Sequence, residues 1–165
     1  MREALFNVLR EEVAGRTVFD CCCGTGALGL EALSRGAAHV AFVDVAPACL
    51  HTVRENLRRC DAAPESWSLH RADAARWLTR RLATEAGGPL VLADPPYGGP
   101  VPGEIVATVA KADVPPHLLV LEHPADAAPP EPPGQAWRST TRRHGGVAFT
   151  IYRPQGPTTA EAIDD

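Results

Sequence analysis

Short apolar runs alternate with helix-like stretches along almost the whole chain, and this alternation limits the possible folds more than any other feature. The runs begin at Thr17, His39, Ser66, Pro89 and His117, at intervals of about 20 to 29 residues, which is the spacing of strands joined by crossover helices. The stretches between them, Ala27–Arg35, Pro47–Leu57, Ala74–Thr84 and Glu104–Lys111, read as helices. A leading helix is predicted over residues 3–14, with Leu5, Val8, Leu9 and Val13 on one side, Glu11 and Glu12 on the other, and Gly15 as its stop. Trp137–Arg143 and Val147–Arg153 flank His144-Gly145-Gly146 and read as a terminal β-hairpin. The expected fold is therefore α/β: a Rossmann-like, mostly parallel seven-stranded sheet with helices on both faces and a C-terminal antiparallel hairpin. At 165 residues the chain reads as one domain over residues 1–153, large enough to bury a core without staples, with a disordered tail expected over 154–165.

Charge and cysteine content exclude several classes. The net charge is −4 with a pI near 5.8, so no overall positive field grips nucleic acid, and any such contact must be local. The basic residues are 15 Arg and one Lys, and Arg favours bidentate phosphate contacts. Five cysteines make an odd set, and Cys21, Cys22 and Cys23 are consecutive on an apolar run. Adjacent strand residues point to opposite faces, so the triplet cannot converge on a metal, and no C-x-x-C pair exists; neither a metal site nor a disulfide framework is expected. The N-terminal residues lack the apolar core of a signal peptide, and no apolar run approaches a membrane span. A cytoplasmic protein is therefore expected, a monomer with no membrane partner.

Ligands of open α/β sheets bind beyond the carboxyl ends of the strands, near the point where strand order reverses. That directs attention to Asp20–Gly26, Asp44, Asp73 and Asp94–Tyr97. Gly24-Thr25-Gly26-Ala27-Leu28-Gly29 fits G-x-G-x-x-G between a strand and a helix. Asp44, twenty positions after Gly24, ends the next run, where a carboxylate can accept from both hydroxyls of a ribose. Asp20 would oppose a pyrophosphate at the mouth of the loop but suits the ammonium and sulfonium of S-adenosylmethionine. Asp73 could accept from the adenine amino group, or cap the helix beginning at Ala74, or both.

Asp94-Pro95-Pro96-Tyr97 follows a buried-type strand. Two prolines fix the backbone and remove two N–H donors, so the Asp94 carboxylate and the Pro95 carbonyl present acceptors rigidly. Acceptors suit an amino substrate: holding both hydrogens of an exocyclic base amine turns its lone pair toward an incoming methyl group. Tyr97 offers a face on which an unstacked base can rest.

Asp20–Ala37, Arg2-Glu3-Ala4-Leu5-Phe6-Asn7 and Asp94–Tyr97 together resemble the RsmD family of bacterial 16S rRNA guanine-N2 methyltransferases, with a likeness running from Arg2 to about Arg153. The resemblance implies the class I methyltransferase fold, S-adenosylmethionine as methyl donor, and a guanine N2 of small-subunit 16S rRNA as acceptor. It also implies roles. The loop containing Asp20, Cys22, Gly24, Thr25 and Gly26 holds the methionyl part, Asp44 the ribose, and Asp73 and Ala74 the adenine. Asp94, Pro95 and Tyr97 hold the guanine, and Phe6 and Asn7 close over the cofactor unless Phe6 serves only to pack the helix on the sheet. Family members usually carry a basic, glycine-containing segment ahead of the first helix, whereas this chain starts almost at that helix. Arg2, Arg76, Arg80, Arg81 and the Arg142-Arg143-His144 turn are the candidate RNA contacts. Cys21-Cys22-Cys23 departs from the family pattern, and small polarizable cysteines pack acceptably there. Glu31 reads as a structural partner, Glu122 as a residue bordering the cleft, and His144 as a turn residue.

Other readings compete. The same chemistry could act on adenine N6 or on a protein glutamine; Asp94 in place of Asn argues against glutamine, and the length leaves no room for a DNA-recognition domain. A nucleotide-binding module or an NAD-dependent oxidoreductase explains the glycine loop and Asp44 but not Asp94–Tyr97.

Overall fold

The computed structural model describes residues 1–156. Its elements are α1 (Arg2–Leu9), β1 (Thr17–Cys21), α2 (Ala27–Ser34), β2 (His39–Asp44), α3 (Pro47–Arg59), β3 (Trp67–Arg71), α4 (Ala74–Leu82), β4 (Leu90–Ala93), α5 (Val101–Ala110), β5 (Leu118–Pro124), β6 (Trp137–His144) and β7 (Val147–Pro154). The strands form one sheet in the order β3-β2-β1-β4-β5-β7-β6. The first five are parallel, and β7 pairs antiparallel with both β5 and β6. The expected α/β sheet and terminal hairpin are both present. Strand order reverses between β1 and β4, which puts the ligand crevice of such a sheet at their carboxyl ends.

Side-chain alternation divides the core into two layers. Val18, Val40, Phe42, Leu92 and Val120 meet α1, α2 and α3 on one face. Phe19, Val43, Ala93 and Leu121 meet α4 and α5 on the other. Central β4 is buried along its whole length, as its uninterrupted apolar run requires. Trp77 of α4 stands edge-on to Phe19, with ring centroids 4.8 Å apart.

Most elements shift by a residue or two from their predicted bounds, and three departures have a visible physical cause. The first helix ends at Leu9 rather than continuing to residue 14, because Arg10 adopts a φ of 31° and Arg10–Glu12 tightens into a 3-10 turn. Glu12 there accepts two bonds from Arg153, at 2.6 and 2.7 Å, and lies 2.6 Å from His117 Nε2. α5 begins at Val101, before the predicted Glu104, since Pro102 falls in the first turn, where no intrahelical N–H is needed. β5 extends two residues past Glu122, as His123 and Pro124 pair with Ala148 and Val147. At the other end of the hairpin, Pro154 pairs with Trp137 and the Gln155 N–H donates to the Ala136 carbonyl. The remainder of the expected tail, from residue 157, lies outside the described residues.

Candidate active site

The turn from β1 into α2 is tight: Cys22, Gly24 and Gly26 have φ values of 55°, 53° and 81° within five residues. Glycine meets that demand without steric cost at two of the three positions, while Cys22 adopts the left-handed region despite its side chain. The third glycine of the motif serves packing instead. A Cβ on Gly29 would lie 2.3 Å from Phe42 Cε1 and 2.9 Å from Asp20 Oδ2. The close approach allows the Gly29 N–H to donate to Asp20 Oδ2 at 2.8 Å.

This contact corrects the expected position of Asp20. Strand alternation turns it to the α2 face, where it is 1% exposed, and it lies beneath the loop rather than at its mouth. Oδ1 has no hydrogen-bond partner. Burial raises its pKa to about 8, against the lowering effect of the Gly29 N–H.

Eight of the eleven sequence-predicted site residues line one cavity of about 490 Å³: Cys22, Gly24, Asp44, Asp73, Ala74, Asp94, Pro95 and Tyr97. This volume is in the range of small-molecule sites. Asp44 Oδ2 accepts from the Gly24 N–H at 3.0 Å, and its Oδ1 from the Ala46 N–H at 2.9 Å. These two bonds fix the carboxylate while leaving each oxygen a lone pair. Asp73 caps α4 by accepting from the Arg76 N–H at 2.9 Å, one of the two roles read from the sequence, and its side of the helix start also lines the cavity. Burial, then the charges of Asp44, Asp20, Asp94 and Asp73, push the Cys22 thiol up to about 12 and keep it neutral.

Asp94-Pro95-Pro96-Tyr97 leaves the end of β4, anchored where the Asp94 N–H donates to the Cys21 carbonyl at 3.3 Å. Pro95 is buried, and Tyr97 is 52% exposed at the rim. Partial burial raises the Asp94 pKa, and burial together with Asp94 and Glu122 raises that of Tyr97. Glu122, expected only to border the cleft, is pushed to about 7 by burial and then by Asp94.

Three predicted residues lie outside the cavity wall. Besides buried Asp20, Gly26 packs against Phe42 and Val53. Thr25 is exposed, and its carbonyl accepts from Asn56 Nδ2. Phe6 and Asn7 do not reach the cavity either: Phe6 is fully buried beneath the Arg35 guanidinium, and Asn7 Oδ1 accepts from Arg35 Nη1. Glu31 bonds Arg35 and lies 3.6 Å from Arg2, which matches its structural reading. Among the candidate RNA contacts, Arg81 pairs with Glu85 and Arg143 donates to the Ala125 carbonyl. Pro96 of the acceptor loop also lines the cavity, and Val45, Ala72 and Val101 complete it without having been singled out in sequence. Val45 carried a signal, being an apolar residue directly after a strand-ending carboxylate. No described helix is long and apolar enough to cross a membrane.

A family model described as Conserved hypothetical protein 95 matches residues 1–153. YlbH of Bacillus subtilis (strain 168), named as a candidate rRNA methyltransferase, is 28% identical over 94% of this chain and 85% of its own length. Ribosomal RNA small subunit methyltransferase D of Escherichia coli (strain K12) is 33% identical over 59% of this chain and 46% of its own length. A solved structure of the Escherichia coli protein yhhF, described as a candidate methyltransferase, superposes with a TM-score of 0.77 at 27% identity, covering 94% of this chain and 86% of that one.

Proposed function

Since this chain belongs to the Conserved hypothetical protein 95 family, the RsmD family of rRNA methyltransferases, we propose that it transfers a methyl group from S-adenosylmethionine to the exocyclic N2 of a guanine in 16S rRNA. The observation that carries this reading is the rigid Asp94–Tyr97 acceptor loop, which shares one cavity with Asp44 and Asp73.

The residues present fit S-adenosylmethionine. A Cβ on Gly24 would meet nothing within 4 Å, which leaves room for a ligand against the loop. Asp20 keeps an unpartnered buried oxygen beneath that loop. In this reading Asp20, Cys22, Gly24, Thr25 and Gly26 form the methionyl end, with Thr25, Gly26 and Asp20 shaping the loop from outside the cavity. Asp44 accepts from the ribose hydroxyls, and Asp73 and Ala74 border the adenine. When bound, S-adenosylmethionine supplies a sulfonium-activated methyl group.

The chain's own residues do the positioning. The Asp94 carboxylate and Pro95 carbonyl take the two amino hydrogens, drawing the N2 lone pair out of conjugation with the ring and toward the methyl group. Tyr97 supports the extruded base by stacking, worth about 1–3 kcal/mol per base. The surplus amino proton passes to Asp94 or to solvent. The enzyme acts as a cytoplasmic monomer and meets rRNA through local arginines, among them Arg2, Arg76, Arg80 and Arg142.

The test is transfer of labelled methyl from S-adenosylmethionine to small ribosomal subunits lacking the modification, with naked 16S rRNA in parallel and chromatography of the product nucleosides. N2-methylguanosine is expected. N6-methyladenosine, or transfer to protein alone, would assign the same site to another amine; tight binding of NAD in place of S-adenosylhomocysteine would remove the methyltransferase reading.

A further inference from the structure

We propose that Glu122 makes the base site selective for guanine, its carboxylate accepting the N1–H while Asp94 and the Pro95 carbonyl hold the N2 amine. This inference rests on the guanine-N2 reading above and goes beyond it by naming the residue that distinguishes guanine from bases with an unprotonated N1.

The register of the sheet places the two carboxylates side by side. Ala93 of β4 lies opposite Leu121 of β5, so Asp94 and Glu122 are the next residues along adjacent parallel strands. Leu92 and Val120 face the α1 side, and Ala93 and Leu121 the other, so alternation within β5 returns Glu122 to the α1 side, beside the point where Asp94 leaves the end of β4. The two are close enough for Asp94 to bear on the ionisation of Glu122, and both bear on that of Tyr97. One further strand along, Glu122 pairs with Phe149, so its outer flank is apolar.

Among the described residues neither carboxylate has a side-chain hydrogen bond or a cation partner. Glu12, Glu31, Glu55 and Glu85 are each matched by an arginine. Asp20, Asp44 and Asp73 each accept from a backbone N–H. An exposed carboxylate, Asp94, and a half-buried one, Glu122, with unused lone pairs at the ends of adjacent strands beside an exposed tyrosine, constitute an acceptor surface. The matching ligand edge presents contiguous donors. The N1–H and N2–H of guanine do so, whereas adenine and 2-aminopurine present an N1 lone pair that an ionised carboxylate repels.

The test compares guanine with 2-aminopurine, which keeps the N2 amine but has an acceptor at N1. Small subunits reconstituted with 16S rRNA carrying either base at the methylated position serve as substrates for the wild-type protein, Glu122→Gln and Glu122→Ala. Wild type should prefer guanine by roughly 100-fold, as expected when a buried acceptor loses its donor. Glu122→Gln should narrow that ratio by at least about tenfold, losing rate on guanine and gaining on 2-aminopurine, because its amide can donate to N1. Glu122→Ala should lose rate on guanine without the gain. Unchanged binding of S-adenosylhomocysteine by both variants will show that they are folded with the cofactor site intact. Equal losses on both bases, or no change on either, would overturn the Glu122 assignment and leave the methyltransferase reading standing. Failure of the wild type to methylate guanine-containing subunits would overturn both.

Discussion

The two ends of the sheet treat buried acid in opposite ways. At the end where β5 begins and β7 finishes, Glu12 receives two bonds from Arg153 and one contact from His117, and the Arg153 bonds hold its pKa below the ordinary range despite burial. At the carboxyl ends of β1, β4 and β5, Asp20, Asp94 and Glu122 have no cation partner among the described residues, and burial pushes all three upward. The first arrangement contributes to the native state. The second costs stability that only a ligand with positive charge or hydrogen-bond donors can recover, which is the physical mark of a functional edge. Substitutions at the two ends should therefore separate activity from stability.

The largest expected effect is at Asp94. Asp94→Ala should lower methyl transfer by on the order of 10³-fold, the loss of a preorganised contact to the reacting group. Its affinity for S-adenosylhomocysteine, measured by calorimetry, should change little, because Asp94 is assigned to the base. Equal loss of affinity and turnover would place Asp94 in the cofactor site and erase the division of labour within this edge.

The next effect is on pH-dependent stability. Asp20 has a folded-state pKa of about 8 against an ordinary 3.8, so between those values the native state holds more protons than the unfolded chain. Stability then falls as pH rises through that window, by up to about 1.4 kcal/mol per pH unit for one such group. Glu122 adds to the slope up to about pH 7. Asp20→Asn keeps an acceptor for the Gly29 N–H and removes the charge. It should unfold at a higher temperature than wild type at neutral pH, with a flatter dependence on pH, while binding S-adenosylhomocysteine more weakly. An unchanged slope in thermal unfolding across pH 5–8 would show that Asp20 is not the source.

Tyr97 should matter less. Tyr97→Ala is expected to cost about 1–3 kcal/mol in transfer rate to small subunits, the worth of one stacked base, and Tyr97→Phe a fraction of that. A larger loss in the phenylalanine variant would move the role from the ring to the hydroxyl.

Much of this edge was legible in sequence because backbone demands leave residue signatures. The glycine loop, the acid ending β2 and the proline pair after β4 each require particular residues at fixed offsets, and these led to Cys22, Gly24, Asp44, Asp94, Pro95 and Tyr97, while the acid and alanine that open α4, Asp73 and Ala74, complete the eight predicted residues that line the cavity. Asp20 was misplaced because motif spacing gives proximity along the chain but not the face of the strand. Alternation sets that face, but Phe42 and Gly29, which close over Asp20 there, meet it only in three dimensions. The Glu12 contacts were invisible for a related reason: Glu12 is separated from His117 by 105 residues and from Arg153 by 141. An amphipathic pattern over residues 3–14 carried no sign that the helix would break at Arg10 and turn Glu12 toward them.

The smallest predicted effect tests the paired end directly. The Glu12 and Arg153 side chains are 28% and 38% exposed, so solvent screens their attraction, and a two-bond pair at such a site is worth about 1 kcal/mol. Glu12→Gln should lower stability by that amount at pH 7, measured by urea unfolding, and Arg153→Ala should add little in the double variant because the two share one interaction. The sign of the pH dependence is opposite to that of Asp20. Since the folded-state pKa of Glu12 lies below its ordinary 4.5, the contribution is present above that value and disappears as the pH falls through the lowered one. Wild type and Glu12→Gln should therefore converge in stability in acid and separate at neutral pH. Turnover per folded molecule should be the same in both, because Glu12 lies at the opposite end of the sheet from Asp94; a fall in turnover that tracks the fall in stability would mean that the two ends are energetically coupled.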